Sequence, residues 1–128
     1  MDKLVITTDR APAPFQGAPY NQAIRAGDFL FVAGQLGTKP GSSGGPEGNI
    51  AEQTEQAMRN LSAVLDAAGS SLANLVKTTV FLQDFDDFPA MNEVYARHAG
   101  DRPPARSTIQ VSRLPEGALV EIEAIAHT

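Results

Sequence analysis

The sequence has no cysteine among its 128 residues. Disulfide bonds, thiolate nucleophiles and cysteine-based metal sites are therefore excluded. It also lacks any apolar run of membrane-spanning length, and residues 1–6 are too few and too charged to form a signal peptide. We therefore expect a cytoplasmic protein with no membrane partner.

Positive charge is also scarce, with 10 Lys and Arg against 15 Asp and Glu, a net charge of -5 and no basic run. This balance argues against nonspecific binding of nucleic acid, which needs a basic surface. Neither of the histidines, His98 and His127, has a second ligand at metal-binding spacing, so no metal site is expected. The Gly- and Ser-rich stretch 37–48 lacks both phosphate-binding patterns and is interpreted as a surface loop.

Two stretches have the pattern of helices. In the first, Asn49 and Glu52 have the spacing of a capping box, and apolar residues then recur at helical spacing. The second is expected over about residues 88–99, with Asp86 or Asp87 as its N-cap. Both helices are predicted to pack on a sheet through their apolar stripes.

Segments rich in β-branched and aromatic residues predict the strands. Before the final quarter of the chain they lie at residues 4–7, 20–26, 29–35 and 76–82. The resulting order β-β-β-α-β-α-β-β predicts one α+β domain over residues 1–128, in which both helices cover one face of a mixed sheet. Gly34, at a strand end, predicts a bulge or a close approach to the backbone.

The final quarter contains the stretch PPARSTIQVSRLPEGALVEIEAIA at residues 103–126. It is interpreted as a hairpin of two strands joined by a Pro/Gly turn. Because side chains alternate along a strand, Arg106 and Thr108 share one face, and Glu121 and Glu123 face away from the apolar side chains of the second strand. We expect one packing side and one side with an arginine, a hydroxyl and two carboxylates.

Two interpretations of Arg106 are open at this point. Either it pairs with Glu121 or Glu123 and only holds two strands together, or it binds the carboxylate of a small ligand while a glutamate handles water. Two helices cover only one sheet face, which leaves the other, with Phe29, Phe31 and these charged groups, exposed. We therefore expect self-association across that face, with sites at subunit boundaries.

Nearly the whole chain resembles the reactive intermediate deaminase (Rid/YjgF) family, and the stretch 103–126 matches the family's signature region. Further matching segments are Ala18-Pro19-Tyr20, Val32-Ala33-Gly34-Gln35, Ala67-Ala68-Gly69, Val76-Lys77-Thr78-Thr79-Val80-Phe81 and Asp87-Phe88 through Asn92. The resemblance implies a chorismate-mutase-like α+β fold. It also implies a homotrimeric barrel with three clefts between neighbouring subunits.

The resemblance also implies roles for individual residues. Arg106 would bind the ligand carboxylate, and Glu121 would hold the attacking water. Tyr20, the backbone at Gly34 and Thr108 would line the cleft. Ala33 and Asn92 are further family positions at the site, although many relatives have serine where this chain has Ala33 and cysteine where it has Thr108.

The implied reaction is hydrolysis of reactive enamines and imines such as 2-aminoacrylate and 2-iminobutyrate to 2-keto acids and ammonia. Positioning and one acid/base group can suffice for so reactive a substrate, so no cofactor and no metal are expected. Alternatives are a deaminase serving one catabolic route, a non-catalytic trimer that binds small carboxylates, and a ribonuclease, which the acidic composition opposes.

Overall fold

The computed structural model describes residues 2–128. Its strands are β1 (Lys3–Ile6), β2 (Ala23–Ala26), β3 (Phe29–Leu36), β4 (Leu75–Leu82), β5 (Ala105–Gln110) and β6 (Val120–His127), and its α-helices are α1 (Ile50–Ala67) and α2 (Phe88–Ala99). Short 3-10 turns lie at Leu72–Asn74, Phe85–Asp87 and Pro115–Gly117. The predicted order of strands and helices is confirmed.

The strands form one mixed sheet in the order β1-β2-β3-β6-β4-β5. β5 runs parallel to β4, and β6 is antiparallel to both β3 and β4. The predicted hairpin of the last two strands is therefore wrong, because β4 lies between them. Residues 111–119 form a connection that is too long for a tight hairpin loop, and the chain uses it to cross the end of β4.

The polar side chains of β5 and those of β6 lie on opposite faces of the sheet. Arg106 on β5 is level with Thr78 on β4, which in turn is level with Ala124 on the apolar face of β6. Paired residues of neighbouring strands point to the same face, so Arg106 and Thr108 lie on the side of the helices. The prediction that Arg106 shares a face with Glu121 and Glu123 is wrong.

Both helices pack on one face of the sheet, as predicted. Met58, Leu61 and Leu65 of α1 and Met91 of α2 are fully buried in the core with Ile122 of β6. No helix in residues 2–128 is both long and apolar enough to cross a membrane.

The ends of the helices follow local capping rules. The capping box of Asn49 and Glu52 is formed, which confirms the predicted start of α1. Asp87, one of the two predicted residues, occupies the N-cap position of α2, but a 3-10 turn precedes this helix and the side-chain cap bond lies in that turn. Asp84 caps that turn by accepting from the Asp86 N–H at 2.9 Å, and the Asp87 side chain makes no cap bond.

The sheet face opposite the helices carries large exposed apolar side chains. Phe29, Phe31 and Ile109 are 45 %, 46 % and 45 % exposed, whereas Leu30 and Val32, which alternate with the two phenylalanines, are buried. The exposure of this uncovered face is as predicted, and its self-association stays a prediction.

Candidate functional site

A β-bulge shapes one half of the candidate site. Between the pairs Val32–Ala124 and Gln35–Ile122, β3 has two residues, Ala33 and Gly34, where β6 has one. This confirms the bulge predicted at Gly34. A Cβ atom on Gly34 would overlap the carboxylate of Glu121, so only glycine leaves room for that side chain in this position.

The bulge opens into a cleft with a volume of ≈ 860 Å³. Tyr20, Ala33, Gly34 and Glu121 line it, together with Phe15 from the proline-rich loop. The Tyr20 hydroxyl accepts a hydrogen bond from the Phe15 N–H at 2.9 Å, which fixes this loop over the cleft. Four residues singled out from the sequence therefore meet in one place.

The side chain of Gln22 fixes the start of the proline-rich loop by hydrogen bonds. This side chain is buried, and its amide nitrogen donates to the carbonyls of Thr8, Ala11 and Pro12 at 3.0, 3.2 and 2.9 Å. Its amide oxygen accepts from the Thr8 N–H at 2.8 Å. This role was not predictable from the sequence, because nothing in the local pattern distinguishes Gln22 from other polar residues beside a strand.

Glu121 has the electrostatic environment of a proton acceptor. Burial raises the pKa of its carboxyl above the ordinary value of 4.5, and the neighbouring charge of Glu123 raises this pKa further. Raising the pKa of a carboxylate towards the working pH makes it a better base. Within residues 2–128 no cluster of His, Asp or Glu has the arrangement of a metal site.

Arg106 lies in a second half-site, where two aromatic rings hold its guanidinium. The guanidinium carbon is 4.8 Å from the ring centre of Tyr95 and 5.5 Å from that of Phe88. Among residues 2–128 the guanidinium makes neither a salt bridge nor a hydrogen bond. The interpretation in which Arg106 pairs with Glu121 or Glu123 of its own chain is therefore wrong.

The same half-site contains two polar atoms without partners. Asn92 Oδ1 on α2 and Thr108 Oγ1 on β5 are buried, and neither has a hydrogen-bond partner within the described part of the chain. Buried polar atoms in native proteins almost always have a partner. A ligand, a water molecule or a neighbouring subunit is needed to provide one here.

The two half-sites of one chain are too far apart to share a small ligand. Arg106 is level with Thr78 of β4, Glu121 is level with Phe81, and β4 separates their strands. From the spacing of residues along a strand and of strands in a sheet, their Cα atoms are about 14 Å apart, and their side chains point to opposite faces. The structure thus groups Tyr20, Ala33, Gly34 and Glu121 separately from Asn92, Arg106 and Thr108.

Phe88 and Tyr95 are contacts of Arg106 that the sequence analysis did not identify. They precede and follow Asn92 at helical spacing, so all three lie on one side of α2. Tyr95 is buried and its hydroxyl lies 2.7 Å from Thr78 Oγ1, and burial raises the pKa of this phenol. An aromatic pair on one helix face was the available signal, but it is also typical of ordinary core.

Comparison with known proteins gives consistent matches over the chain. The family model described as Endoribonuclease L-PSP matches residues 8–128. A RutC family protein of Pyrococcus horikoshii is 50% identical over 125 residues, which cover 98% of each chain. The human 2-iminobutanoate/2-iminopropanoate deaminase is 41% identical over 122 residues, covering 95% of this chain and 88% of the human one.

Solved structures agree with these sequence matches. A conserved Rid family protein from Yersinia pestis superimposes with a TM-score of 0.93 at 41% identity, covering 99% of this chain and 100% of the other. E. coli TdcF with bound serine gives a TM-score of 0.89 at 36% identity and 98% coverage of both chains. The chain belongs to the Rid/YjgF family.

Proposed function

We propose that the protein is a deaminase that hydrolyses small 2-imino and 2-enamino acids to 2-keto acids and ammonia. The observation that carries this proposal is Arg106, a partly buried arginine with no acidic partner among residues 2–128. Its N–H donors are available to a carboxylate, which a guanidinium can bind in two places. The deaminase name of the human and mouse relatives supports the same reaction class.

The active site is proposed to be shared between subunits of a homotrimer. Arg106, Asn92 and Thr108 of one chain would face the cleft that contains Glu121 and Tyr20 of the next. This arrangement supplies partners for the orphaned atoms of Asn92 and Thr108, and it covers the exposed Phe29 and Phe31. It also brings Arg106 near a Glu121, which the separation within one chain prevents.

The chemical step needs one base and good positioning. Arg106 holds the substrate carboxylate, and Glu121 orients a water molecule next to the C=N carbon. The water oxygen forms a bond to that carbon while Glu121 takes a proton from the water. Glu121 then returns this proton to nitrogen, which gives a carbinolamine. Glu121 next passes the hydroxyl proton to nitrogen while the C–N bond breaks, so NH3 leaves and the C–O bond becomes the keto group.

A coupled assay tests the proposal. The purified protein is added to a pyridoxal-phosphate dehydratase acting on serine or threonine, and keto-acid release is followed while imine is present. We expect acceleration by the native protein and a loss of at least about 100-fold in Arg106→Ala, because the carboxylate contact is charge-assisted. Arg102→Ala, an exposed arginine just before β5, is the matched control. Equal rates with the native protein and with Arg106→Ala would contradict the proposal.

A non-catalytic trimer that binds small carboxylates is the second candidate. Ala33 at the bulge favours it, because alanine provides no hydroxyl for a ligand or a water molecule. Calorimetric binding of 2-ketobutyrate that depends on Arg106, without any acceleration of imine hydrolysis, would support this candidate over the deaminase.

A further inference from the structure

The contacts of Arg106 raise the question of what holds this side chain in place. A long arginine side chain loses considerable rotamer freedom when it is fixed, and a ligand site that is fixed beforehand avoids that loss on binding. Among residues 2–128 no carboxylate, hydroxyl or carbonyl binds the Arg106 guanidinium, which instead packs against the rings of Tyr95 and Phe88.

The two rings are themselves fixed. Tyr95 is 5% exposed, and its hydroxyl is hydrogen-bonded to Thr78, the residue level with Arg106 on the neighbouring strand. Phe88 stacks on Phe85, with ring centres 4.9 Å apart and planes 17° from parallel. The Tyr95 ring, 4.8 Å from the guanidinium carbon, is thus hydrogen-bonded to the residue beside Arg106 on β4. The Phe88 ring, 5.5 Å from that carbon, is stacked on Phe85.

We propose that Tyr95 and Phe88 are positioning residues that hold the Arg106 guanidinium ready to bind the substrate carboxylate. Aromatic faces attract a guanidinium without using its N–H donors, whereas a glutamate or aspartate in the same place would occupy them. The rings therefore fix the arginine and leave its hydrogen-bonding capacity to the ligand. This inference rests on the proposed role of Arg106 in the deaminase.

The first readout is geometric and does not depend on activity. In an NMR spectrum the Arg106 Nε–H signal, assigned by its loss in Arg106→Ala, should show a ring-current shift. Tyr95→Leu should move this signal towards the position of a free arginine, and Tyr95→Phe, which keeps the ring, should leave it nearly unchanged. A signal that does not move in Tyr95→Leu overturns the proposed contact.

The second readout is affinity for 2-ketobutyrate, measured by calorimetry, with KM and kcat measured alongside. Tyr95→Leu and Phe88→Leu should each raise the Kd for 2-ketobutyrate by about 5- to 10-fold, and in the kinetic assay they should raise KM more than they lower kcat. Tyr95→Phe should remain within about 2-fold of the native protein in both measurements. Met58→Ala, which removes fully buried volume on α1, controls for loss of stability. It should lower the melting temperature without changing affinity.

The outcomes separate this inference from the proposed function. If Arg106→Ala weakens binding but folded Tyr95→Leu and Phe88→Leu do not, the positioning role is wrong and the deaminase proposal stands. If Tyr95→Leu does not fold, Phe88, which is only partly buried, decides alone. If Arg106→Ala binds 2-ketobutyrate normally, the proposed function fails, and the NMR shift still reports whether the rings hold the arginine.

Discussion

The raised pKa of Glu121 predicts how the rate of the proposed reaction depends on pH. Its pKa is raised by burial and by Glu123, and it must be deprotonated to take a proton from water. Activity should therefore fall as the pH decreases through this raised pKa. We predict an acid limb in the pH profile of kcat/KM that lies above pH 4.5, the ordinary value for this side chain.

Glu123→Gln tests the cause of that shift. Removing the neighbouring negative charge should lower the pKa of Glu121, so the acid limb should move to lower pH while the plateau stays similar. Glu93→Gln, an exposed change on α2, serves as the control. An acid limb that stays in place in Glu123→Gln would contradict the assignment of Glu121 as the base.

The sequence singled out those candidate site residues whose type is unusual for their position in a strand. Arg106 and Glu121 are charged groups in strands that otherwise alternate regularly, and Gly34 interrupts a strand with a residue that favours bulges. Their partners were not predictable, because Phe88 and Tyr95 have the spacing of ordinary core residues. Aromatic rings that hold an arginine look the same in a sequence as rings that fill a core.

At the scale of elements, the bulge in β3 sets the position of Glu121. A methyl group added at Gly34 would collide with the Glu121 carboxylate, so Gly34→Ala should displace the base. We expect kcat to fall by about 100-fold, in line with the loss of a positioned acid/base group. Affinity for 2-ketobutyrate should change much less, because Arg106, and not Glu121, is the residue proposed to bind the carboxylate.

Gly44→Ala, which also adds a methyl group to the lining of this cleft, is the matched control for this substitution. A Cβ atom there meets no atom within 4 Å, and the residue does not have a positive φ angle. Its kinetics should stay close to those of the native protein. Native-like kcat in Gly34→Ala would show that the bulge does not position the catalytic carboxylate.

A hydrogen bond between Glu55 and His98 joins the two helices, and the contacts of Glu55 give stability a pH dependence. Glu55 on α1 lies 2.9 Å from His98 Nε2 on α2 and 2.8 Å from Arg59, and its pKa is lowered by the hydrogen bonds to His98 and then to Arg59. A lowered carboxyl pKa stabilises the fold above the unfolded-state pKa. This stabilisation is lost as the pH falls through the folded-state value.

We predict that Glu55→Gln lowers the free energy of unfolding by about 0.5–1 kcal/mol near pH 6. The difference from the native protein should shrink as the pH falls below the ordinary Glu value of 4.5 and through the lowered pKa. Urea unfolding at several pH values measures it, with the exposed Glu47→Gln as control. A difference that is the same at all pH values would contradict the ion-pair explanation.

Elements and their order could be predicted, but the neighbours of the last strands could not. Alternation along each strand is a local property, and it correctly separated Ile122 and Ala124 from Glu121 and Glu123. Strand neighbours depend on how the chain crosses the sheet. The register of β5 against β4 places Arg106 level with Thr78 and therefore on the helix side, and no local pattern indicates that register.

At the scale of the whole molecule, the uncovered sheet face supports the proposal that the site is shared between subunits. Phe29, Phe31 and Ile109 are exposed on it, and the candidate site is divided into two halves. Burying such a patch against copies of itself is favourable, and it would place the halves of neighbouring chains together. Native mass spectrometry should therefore find a homotrimer, whereas Phe31→Glu, which adds a charge to the face, should give monomers.

The most direct test of the shared site is complementation between two inactive variants. Arg106→Ala retains the Glu121 half-site, and Glu121→Gln retains the Arg106 half-site. The two variants are unfolded together in equal amounts and refolded. With random assembly, about a quarter of the subunit boundaries should then contain both a native Arg106 and a native Glu121. If the site is shared, about this fraction of native imine hydrolysis should return on mixing. No recovery in properly assembled mixed trimers would contradict it, because Arg106 and Glu121 would then have to act from the same chain or not together at all.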